Sequence, residues 1–369
     1  MNVFNPWEVK GDIDYGKLIK TFGVEELPNI DDLPIQFRNN LLFRRKIIFA
    51  HRGFGQIINS VKNKNSFVMM TGLMPTGKFH IGHMLVAQQM IFYQSLGAKL
   101  YIAVADIEAY NARNQSLTDS RNIAVEQYIK NYIALGLKPE NIEIYFQSDR
   151  SKHKEKSNTY YRLQNILARH VTFNEFRAVY GGISPGKMLS ALLQAADMLH
   201  PMLKEFEGMV PVVVPVGIDQ DPHIRLARDI ASRCKEFQFK ELCSTYHLFM
   251  PGLSGGKMSS SDPNSFIALT DTPQEAEKKI KKYAFSGGKD TIEEHRKYGG
   301  NPNIDVSFQY LKYFFEPDDK RLAEIYENYK SGKLLSGELK QILIEKMSMF
   351  LEHHHKELAK AERYLDRYI

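Results

Sequence analysis

The sequence has little cysteine, no long apolar run and, over one stretch, no acid. Cys234 and Cys243 are the only cysteines in 369 residues. They support neither a disulfide framework nor a zinc site, so both read as buried thiols in a reducing cytoplasm, and no metal ligand set is expected. The longest nearly apolar stretch runs from Met209 to Ile218 and contains two prolines. It falls well short of the ~20 residues a membrane-spanning helix needs, so no membrane partner is expected. Met1 to Pro6 lack the basic-then-apolar order of a secretory leader, which again points to the cytoplasm. Internal repeats and low-complexity segments are lacking too. Between Phe37 and Ser66 stand Arg38, Arg44, Arg45, Lys46, Arg52, Lys62 and Lys64 without one acidic residue. Such a run is either a solvated helix face or a contact for a polyanion. The overall net charge of +6 is too modest to establish nucleic-acid binding. From Asp271 onward 18 basic residues balance 18 acidic ones, so the excess lies upstream.

A hydrophobic content of 43% is ample for a sizeable core, and the length suggests two or three domains. Ser66 to Thr71 reads as a strand buried on both faces. A Gly-containing turn follows, then a helix carrying Ile81, Met84, Leu85, Gln88, Ile91, Phe92 and Leu96 at helical spacing, which Gly97 stops. Lys99 to Ala105 is the next strand. Thr118 or Asp119 is expected to cap a helix running to Gly136, and Asn141 to Phe146 is a third strand. This alternation is half of a doubly wound, Rossmann-like parallel α/β sheet. Ser148 to Glu207 turns helical, with a break at Gly181 to Gly186. Met209 to Val216 resumes as a strand, and Asp221-Pro222 is expected to cap and open a helix through Arg233. The expected organisation is therefore an N-terminal extension (1–65), a nucleotide-binding domain (66–272) whose sheet halves (66–147 and 208–272) are split by a helical insertion (148–207), and an all-helical C-terminal domain (273–369).

Three segments carry chemistry. In Pro75-Thr-Gly-Lys-Phe-His80-Ile-Gly-His83, Thr76 and Gly77 make the turn and Gly82 leaves room for a nucleotide at a helix start, where free amides attract phosphate. His80 and His83 are expected on one helix face, donating to the same α-phosphoryl group as negative charge grows there. In Gly256-Lys257-Met258-Ser259-Ser260-Ser261, Lys257 offers a mobile charge for departing pyrophosphate and the serines offer hydrogen bonds, on a loop able to close. It is not a P-loop, since Met258 follows Gly-Lys where Ser or Thr belongs. In Gly217-Ile-Asp219-Gln220-Asp-Pro222, at a strand's carboxyl end, Asp219 suits ribose hydroxyls and Gln220 suits adenine or substrate, while Asp221 reads as the helix cap. Together these predict cleavage of ATP between its α- and β-phosphates to activate a carboxylate. His353-His354-His355 reads as part of a charged helix, not as a metal site.

Pro75-Thr-Gly-Lys-Phe-His80-Ile-Gly-His83 and Gly256-Lys257-Met-Ser-Ser-Ser261 resemble the two ATP motifs of the class I aminoacyl-tRNA synthetases. Within that class the chain resembles the tryptophanyl-tRNA synthetases of the archaeal and eukaryotic type. The likeness rests on Phe43-Arg-Arg45, His170-Val-Thr-Phe-Asn174, Gly217 to Pro222, Asp262-Pro-Asn-Ser265 and above all Ala284 to Arg296. It runs from about residue 6 to about residue 346. It implies an α₂ homodimer that adenylates L-tryptophan with Mg²⁺-bound ATP and transfers it to the terminal adenosine of its tRNA. His80, His83 and Lys257 would be catalytic, and Pro75, Thr76, Gly77, Gly82, Gly217, Asp219, Gln220, Met258 and Ser259 to Ser261 would hold ATP. The insertion would host the dimer contact and the acceptor end, and the C-terminal domain would read the anticodon.

Met70, Glu108, Gln194 and Asp197 would form the amino-acid pocket. Relatives of this type carry tyrosine where Met70 stands and glutamine where Ala103 stands, whereas Glu108 and Gln194 match. Tryptophan needs one acceptor for its indole N–H in an otherwise apolar pocket. Glu108 and Asp197 are the two candidates, with Asp197 ahead. Gly53 stands where the family has aspartate after Arg52. The sister reading is a tyrosine–tRNA ligase, against which Met70, lacking a hydroxyl partner, argues.

Overall fold

The structure is a computed structural model that describes residues 3–5, 8–10, 15–256, 258 and 262–369. Two short strands, β1 (Val3–Asn5) and β2 (Glu8–Lys10), pair with each other. The remaining strands are β3 (Glu25–Glu26), β4 (Ile48–Arg52), β5 (Val68–Leu73), β6 (Lys99–Val104), β7 (Ile142–Phe146), β8 (Val212–Gly217) and β9 (Cys243–His247). They form one seven-stranded sheet in the order β3-β4-β9-β8-β5-β6-β7. From β9 to β7 every pairing is parallel, while β4 runs antiparallel to β9 and β3 to β4. The chain reverses its direction of progress between β5 and β8, the place where such sheets open a crevice at their carboxyl ends.

Both faces of the central strands are covered, as parallel strands require. On β5, Met69 and Leu73 join the larger core cluster, and Val68 and Met70 join the second. Likewise Leu100, Ile102 and Val104 of β6 face the larger cluster and Tyr101 and Ala103 the second. This alternation follows the two-residue period of a strand. The second cluster is shared with the helical insertion, so Met70 and Ala103 face that insertion.

The helices that position the cleft are α1 (Ile81–Ser95), α2 (Asp106–Arg113), α3 (Leu117–Ile123), α4 (Lys154–Leu167), α5 (Phe173–Tyr180), α6 (Pro185–Leu199) and α7 (Asp221–Arg233). Beyond them, α8 (Pro273–Tyr283) and the long α9 (Ser336–Ala361) belong to the helical C-terminal region. The expected break at Gly181 to Gly186 is shorter in the structure: only Gly181 to Ser184 separate α5 from α6, and Pro185 and Gly186 open α6.

Three sequence expectations need correction. Ser116, not Thr118 or Asp119, caps α3, and the chain continues through a wider π turn (Ala124–Ile129) before Lys130–Ala134. Gln220 precedes α7, and Asp221, its first residue, points its carboxylate to Arg52 at 2.7 and 2.9 Å instead of to the helix amides. The basic run divides: Arg38, Lys46, Lys62 and Lys64 are exposed, as a solvated face requires, whereas Arg44, Arg45 and Arg52 are engaged within the protein. Arg44 and Arg45 both grip Asp319, at 2.6 and 2.7 Å, and Arg45 also donates to the carbonyls of Lys312 and Glu316. These contacts tie the N-terminal region to the helical one. Finally, β4, β9 and α2 were not anticipated. Within the triple histidine, His354 meets Asn131 at 2.8 Å and His355 the Leu269 carbonyl at 2.9 Å, so it docks α9 onto the sheet domain.

Candidate active site

A cleft of about 430 Å³ opens at the carboxyl ends of β5, β6, β7, β8 and β9. Met70, Ala103, Glu108, Gln147, Gln194, Asp197, Gly217 and Gln220 line it.

At the Pro75–His83 segment, the turn after β5 is held from outside. Gln115 donates to the Pro75 carbonyl at 2.8 Å and the Tyr128 hydroxyl to the Thr76 carbonyl at 2.7 Å, while Gly77 takes φ 64°. That left-handed conformation favours glycine. The following segment is pinned against residues 267–269 by Ile81 N–H to the Ile267 carbonyl (3.1 Å) and Leu269 N–H to the Phe79 carbonyl (3.0 Å).

His80 is not on the face of α1, as the sequence suggests, but is its N-cap. Its Nδ1 accepts from the Gly82 amide at 3.2 Å, and His83 Nδ1 accepts from the His80 amide at 3.1 Å. The two rings stack with centroids 3.8 Å apart. Since both Nδ1 atoms are acceptors, the remaining proton of each neutral ring sits on Nε2. Burial keeps the rings neutral: it pushes His80 down to about 4, and it pushes His83, which also feels His80, well below the usual histidine value. Gly82 lies under Met258, whose Sδ would be 2.9 Å from a methyl group placed on Gly82. The two ATP motifs therefore touch at this point. Lys257, Ser259, Ser260 and Ser261 lie outside the described residues.

At the end of β8, a Cβ on Gly217 would meet Asp219 Oδ1 at 2.7 Å and the Phe249 ring at 3.0 Å, so only glycine fits. Asp219 is buried, and Gln220 Nε2 donates to its Oδ2 at 3.2 Å.

The insertion-facing end of the cleft is built on α6. Asp197 is buried; its Oδ1 accepts from the Tyr145 hydroxyl (2.6 Å) and the Tyr160 hydroxyl (2.5 Å), and its Oδ2 accepts from Gln147 Nε2 (2.7 Å). The buried Arg150 lies over the Tyr145 ring at 4.0 Å, reaches Glu143 at 2.5 Å and meets His200 Nε2 at 2.7 Å. Burial raises Asp197 to about 6, opposed by these three donors and by Arg150. Oδ2 holds a single bond and retains a lone pair, and the neighbouring Gln147 Oε1 has no partner. Glu108 is raised to about 7, first by burial and then by the charge of Asp197. Gln194 Oε1 lies 3.4 Å from the Tyr180 hydroxyl, itself 2.7 Å from His223 Nδ1.

Of the described residues assigned to the site from sequence, Met70, Glu108, Gln194, Asp197, Gly217 and Gln220 line this cleft, whereas Pro75, Thr76, Gly77, His80, Gly82, His83, Asp219 and Met258 are not among its lining residues. Sequence reasoning missed Gln115, Tyr128, Tyr145, Gln147, Arg150 and Tyr160. All six act on groups distant in sequence, and only the strand-end position of Gln147 offered a local signal.

Residues 62–352 match the family described as tRNA synthetases class I (W and Y). The chain is 45% identical over 355 residues to a tryptophan–tRNA ligase of Methanocaldococcus jannaschii, covering 94% of this chain and 92% of that one. It is 42% identical over 363 residues to a tryptophan–tRNA ligase of Aeropyrum pernix, covering 97% and 95%. The crystal structure of a tryptophanyl-tRNA synthetase from Aeropyrum pernix superposes with a TM-score of 0.89 at 42% identity, covering 95% of each chain.

Proposed function

The chain belongs to the tryptophan and tyrosine branch of the class I tRNA synthetases, among the tryptophan–tRNA ligases, and from that premise we propose how its residues divide the reaction. The enzyme activates L-tryptophan with ATP and transfers it to tRNA. In the first step a tryptophan carboxylate oxygen attacks the α-phosphorus, the bond to the bridging β-oxygen breaks, and pyrophosphate leaves. In the second, a ribose hydroxyl of the 3′-terminal adenosine attacks the acyl carbon and AMP leaves.

The observation that carries the assignment of catalytic roles is the reciprocal capping of His80 and His83, which leaves two neutral Nε2–H donors at the start of α1. Donors fixed before reaction stabilise the charge that develops on the α-phosphoryl oxygens without reorganising. Lys257 neutralises the departing pyrophosphate, with Met258 and Ser259 to Ser261 on the same loop. Pro75, Thr76, Gly77 and Gly82 make the phosphate turn; Gly217, Asp219 and Gln220 take the adenosine side. Asp219, buried with its oxygen beside Gln220, suits ribose hydroxyls.

The indole N–H goes to Asp197 Oδ2. Three donors hold that carboxylate in place, and Oδ2 keeps a free lone pair beside the cleft. Met70 and Ala103 supply apolar surface on the insertion-facing side, and Glu108 and Gln194 complete the pocket. Mg²⁺ enters with the ATP phosphates, which it charge-neutralises. Imidazoles at the phosphate end are not the oxygen cage this ion prefers, which suits a metal carried by the nucleotide.

A homodimer and a cytoplasmic setting belong to the same proposal. Phe173 and Leu189 of the insertion are each 52% exposed, and this apolar surface supports a partner subunit there. Within the boundaries 66–272 and 273–369, the insertion (148–207) takes the acceptor end and the C-terminal helices read the anticodon. ATP–pyrophosphate exchange with tryptophan and tyrosine side by side, followed by charging of total tRNA, tests the reading. Exchange and charging with tryptophan are expected; exchange only with tyrosine contradicts it.

A further inference from the structure

His170, Cys234 and Glu236 come from two distant segments that the fold joins beside the end of α7. Cys234 is the residue that ends α7, its amide bonded to the Ile230 carbonyl at 3.0 Å. His170 closes the turn after α4, two residues before Thr172 caps α5. The donor atoms of the three side chains all lie within 4.8 Å of one another. His170 Nε2 is 3.0 Å from Glu236 Oε2, and Cys234 Sγ is 3.6 Å from the same oxygen.

A tetrahedral zinc ion with bonds of ~2.0–2.3 Å holds such donors roughly 3.2–3.7 Å apart, so two of the three edges already have nearly the required length. We propose that His170, Cys234 and Glu236 bind one borderline-soft divalent cation of the zinc type, with water in the fourth position. One imidazole, one thiolate and one carboxylate form a donor set that zinc takes and that hard magnesium does not. The two anionic ligands neutralise the dication, and binding releases the thiol proton to solvent, so affinity rises with pH.

The surroundings favour this arrangement over a plain ion pair. The Lys235 amide donates to Glu236 Oε2 at 3.0 Å, which fixes that carboxylate beside the sulfur. Burial and Glu236 hold the Cys234 thiol protonated in the metal-free chain, yet the amides of Glu236 and Phe237 favour its thiolate once a cation replaces the proton. Arg233, the nearest cation on α7, is engaged by Glu175 at 2.7 Å and by the His170 carbonyl at 3.1 Å. By contrast, the other thiol, Cys243, donates to the Gly53 carbonyl at 3.1 Å and belongs to no such cluster among the described residues. The bound ion would staple the end of α7 to the start of α5, and so the sheet domain to its insertion. The two ligand segments are 64 residues apart, and two cysteines with no repeat of metal-binding spacing gave no hint of a site.

The test is a Co²⁺ titration of the chelator-treated full chain at neutral pH, followed by absorption. The expected result is one Co²⁺ per chain with a thiolate charge-transfer band and tetrahedral d–d bands, both displaced by Zn²⁺. Cys234→Ser abolishes the charge-transfer band, Cys243→Ser keeps it, and Glu236→Gln weakens binding by about tenfold or more. Tryptophan-dependent ATP–pyrophosphate exchange, unchanged in Cys234→Ser, shows that this variant is folded. A purely aqua-ion spectrum at one equivalent, or a charge-transfer band that survives Cys234→Ser, overturns the assignment.

Discussion

His80 and His83 cap one helix reciprocally: each Nδ1 accepts a backbone amide, at 3.2 and 3.1 Å, which leaves both Nε2 atoms protonated in neutral, stacked rings. The pair closes the helix end, and the proposed function uses its two remaining N–H groups as donors to phosphate. Because burial holds His80 near 4 and pushes His83 well below the usual histidine value, neither ring changes charge across the neutral range. Nitrogen NMR of the labelled protein should therefore report both as the Nε2–H tautomer, with no titration between about pH 6 and 9.

Stability should instead fall in acid. His80, His223, His247 and His354 are all lowered to about 4 by burial, so the unfolded chain binds protons that the native chain refuses. Between the unfolded histidine value of ~6.5 and about 4, each contributes a loss of stability as pH drops. Glu108 and Asp197, raised to about 7 and about 6, act in the opposite direction, because they favour the native state when protonated. Four histidines outweigh two carboxylates. The expected outcome is a lower Tm at pH 5 than at pH 7, checked by calorimetry.

In the amino-acid pocket, Asp197→Asn replaces a charged acceptor by an amide. Hydrogen bonds to charged groups contribute ~1.5–3 kcal/mol, so kcat/KM for tryptophan in pyrophosphate exchange should fall about 10- to 100-fold. Glu108→Gln should cost less. A larger loss for Glu108→Gln would make Glu108 the indole acceptor.

The half-buried Arg52 pairs with the fully buried Asp221 and joins β4 to the start of α7, and Tyr246 of β9 donates to the same carboxylate. Arg52→Ala strands a fully buried charge next to Gly217–Gln220. The expected cost is ~3–5 kcal/mol, read as a reduced urea midpoint, together with a raised KM for ATP.

These residues also mark how far sequence alone reaches. The β5–turn–α1 unit is legible because a buried apolar strand, a Pro-Thr-Gly turn and helical spacing all agree locally. β4 and β9 are not legible: Cys243-Ser-Thr-Tyr-His247 reads as polar, and its burial is explained only by partners such as Asp221. Asp221 reads as a cap because Asp-Pro opens many helices, and the distant Arg52 and Tyr246 redirect it. The phosphate end of the site was readable in its motifs, since helix-end amides and adjacent histidines are local chemistry. Its amino-acid end depends on Tyr145, Gln147, Arg150 and Tyr160, which converge on Asp197 from β7, the turn after it and α4.

The contact between the two ATP motifs gives a further outcome. A methyl group in Gly82→Ala would press on Met258 Sδ at 2.9 Å and on the His80 ring at 3.0 Å. The methionine can swing aside, but the ring is held by its bond to the Gly82 amide. A roughly 10- to 100-fold drop in exchange rate is expected, with little change in Tm. Met258→Ala in the same chain should recover only part of it.

The most direct test of the central claim, that the neutral Nε2–H groups act on the transition state, is His83→Ala assayed twice: by the rate of tryptophanyl-adenylate formation and by the Kd for tryptophan. Losing one preplaced donor should slow adenylation by about 10²–10³-fold while tryptophan binds almost as before. Equal losses in rate and in tryptophan affinity would contradict the role assigned to His83.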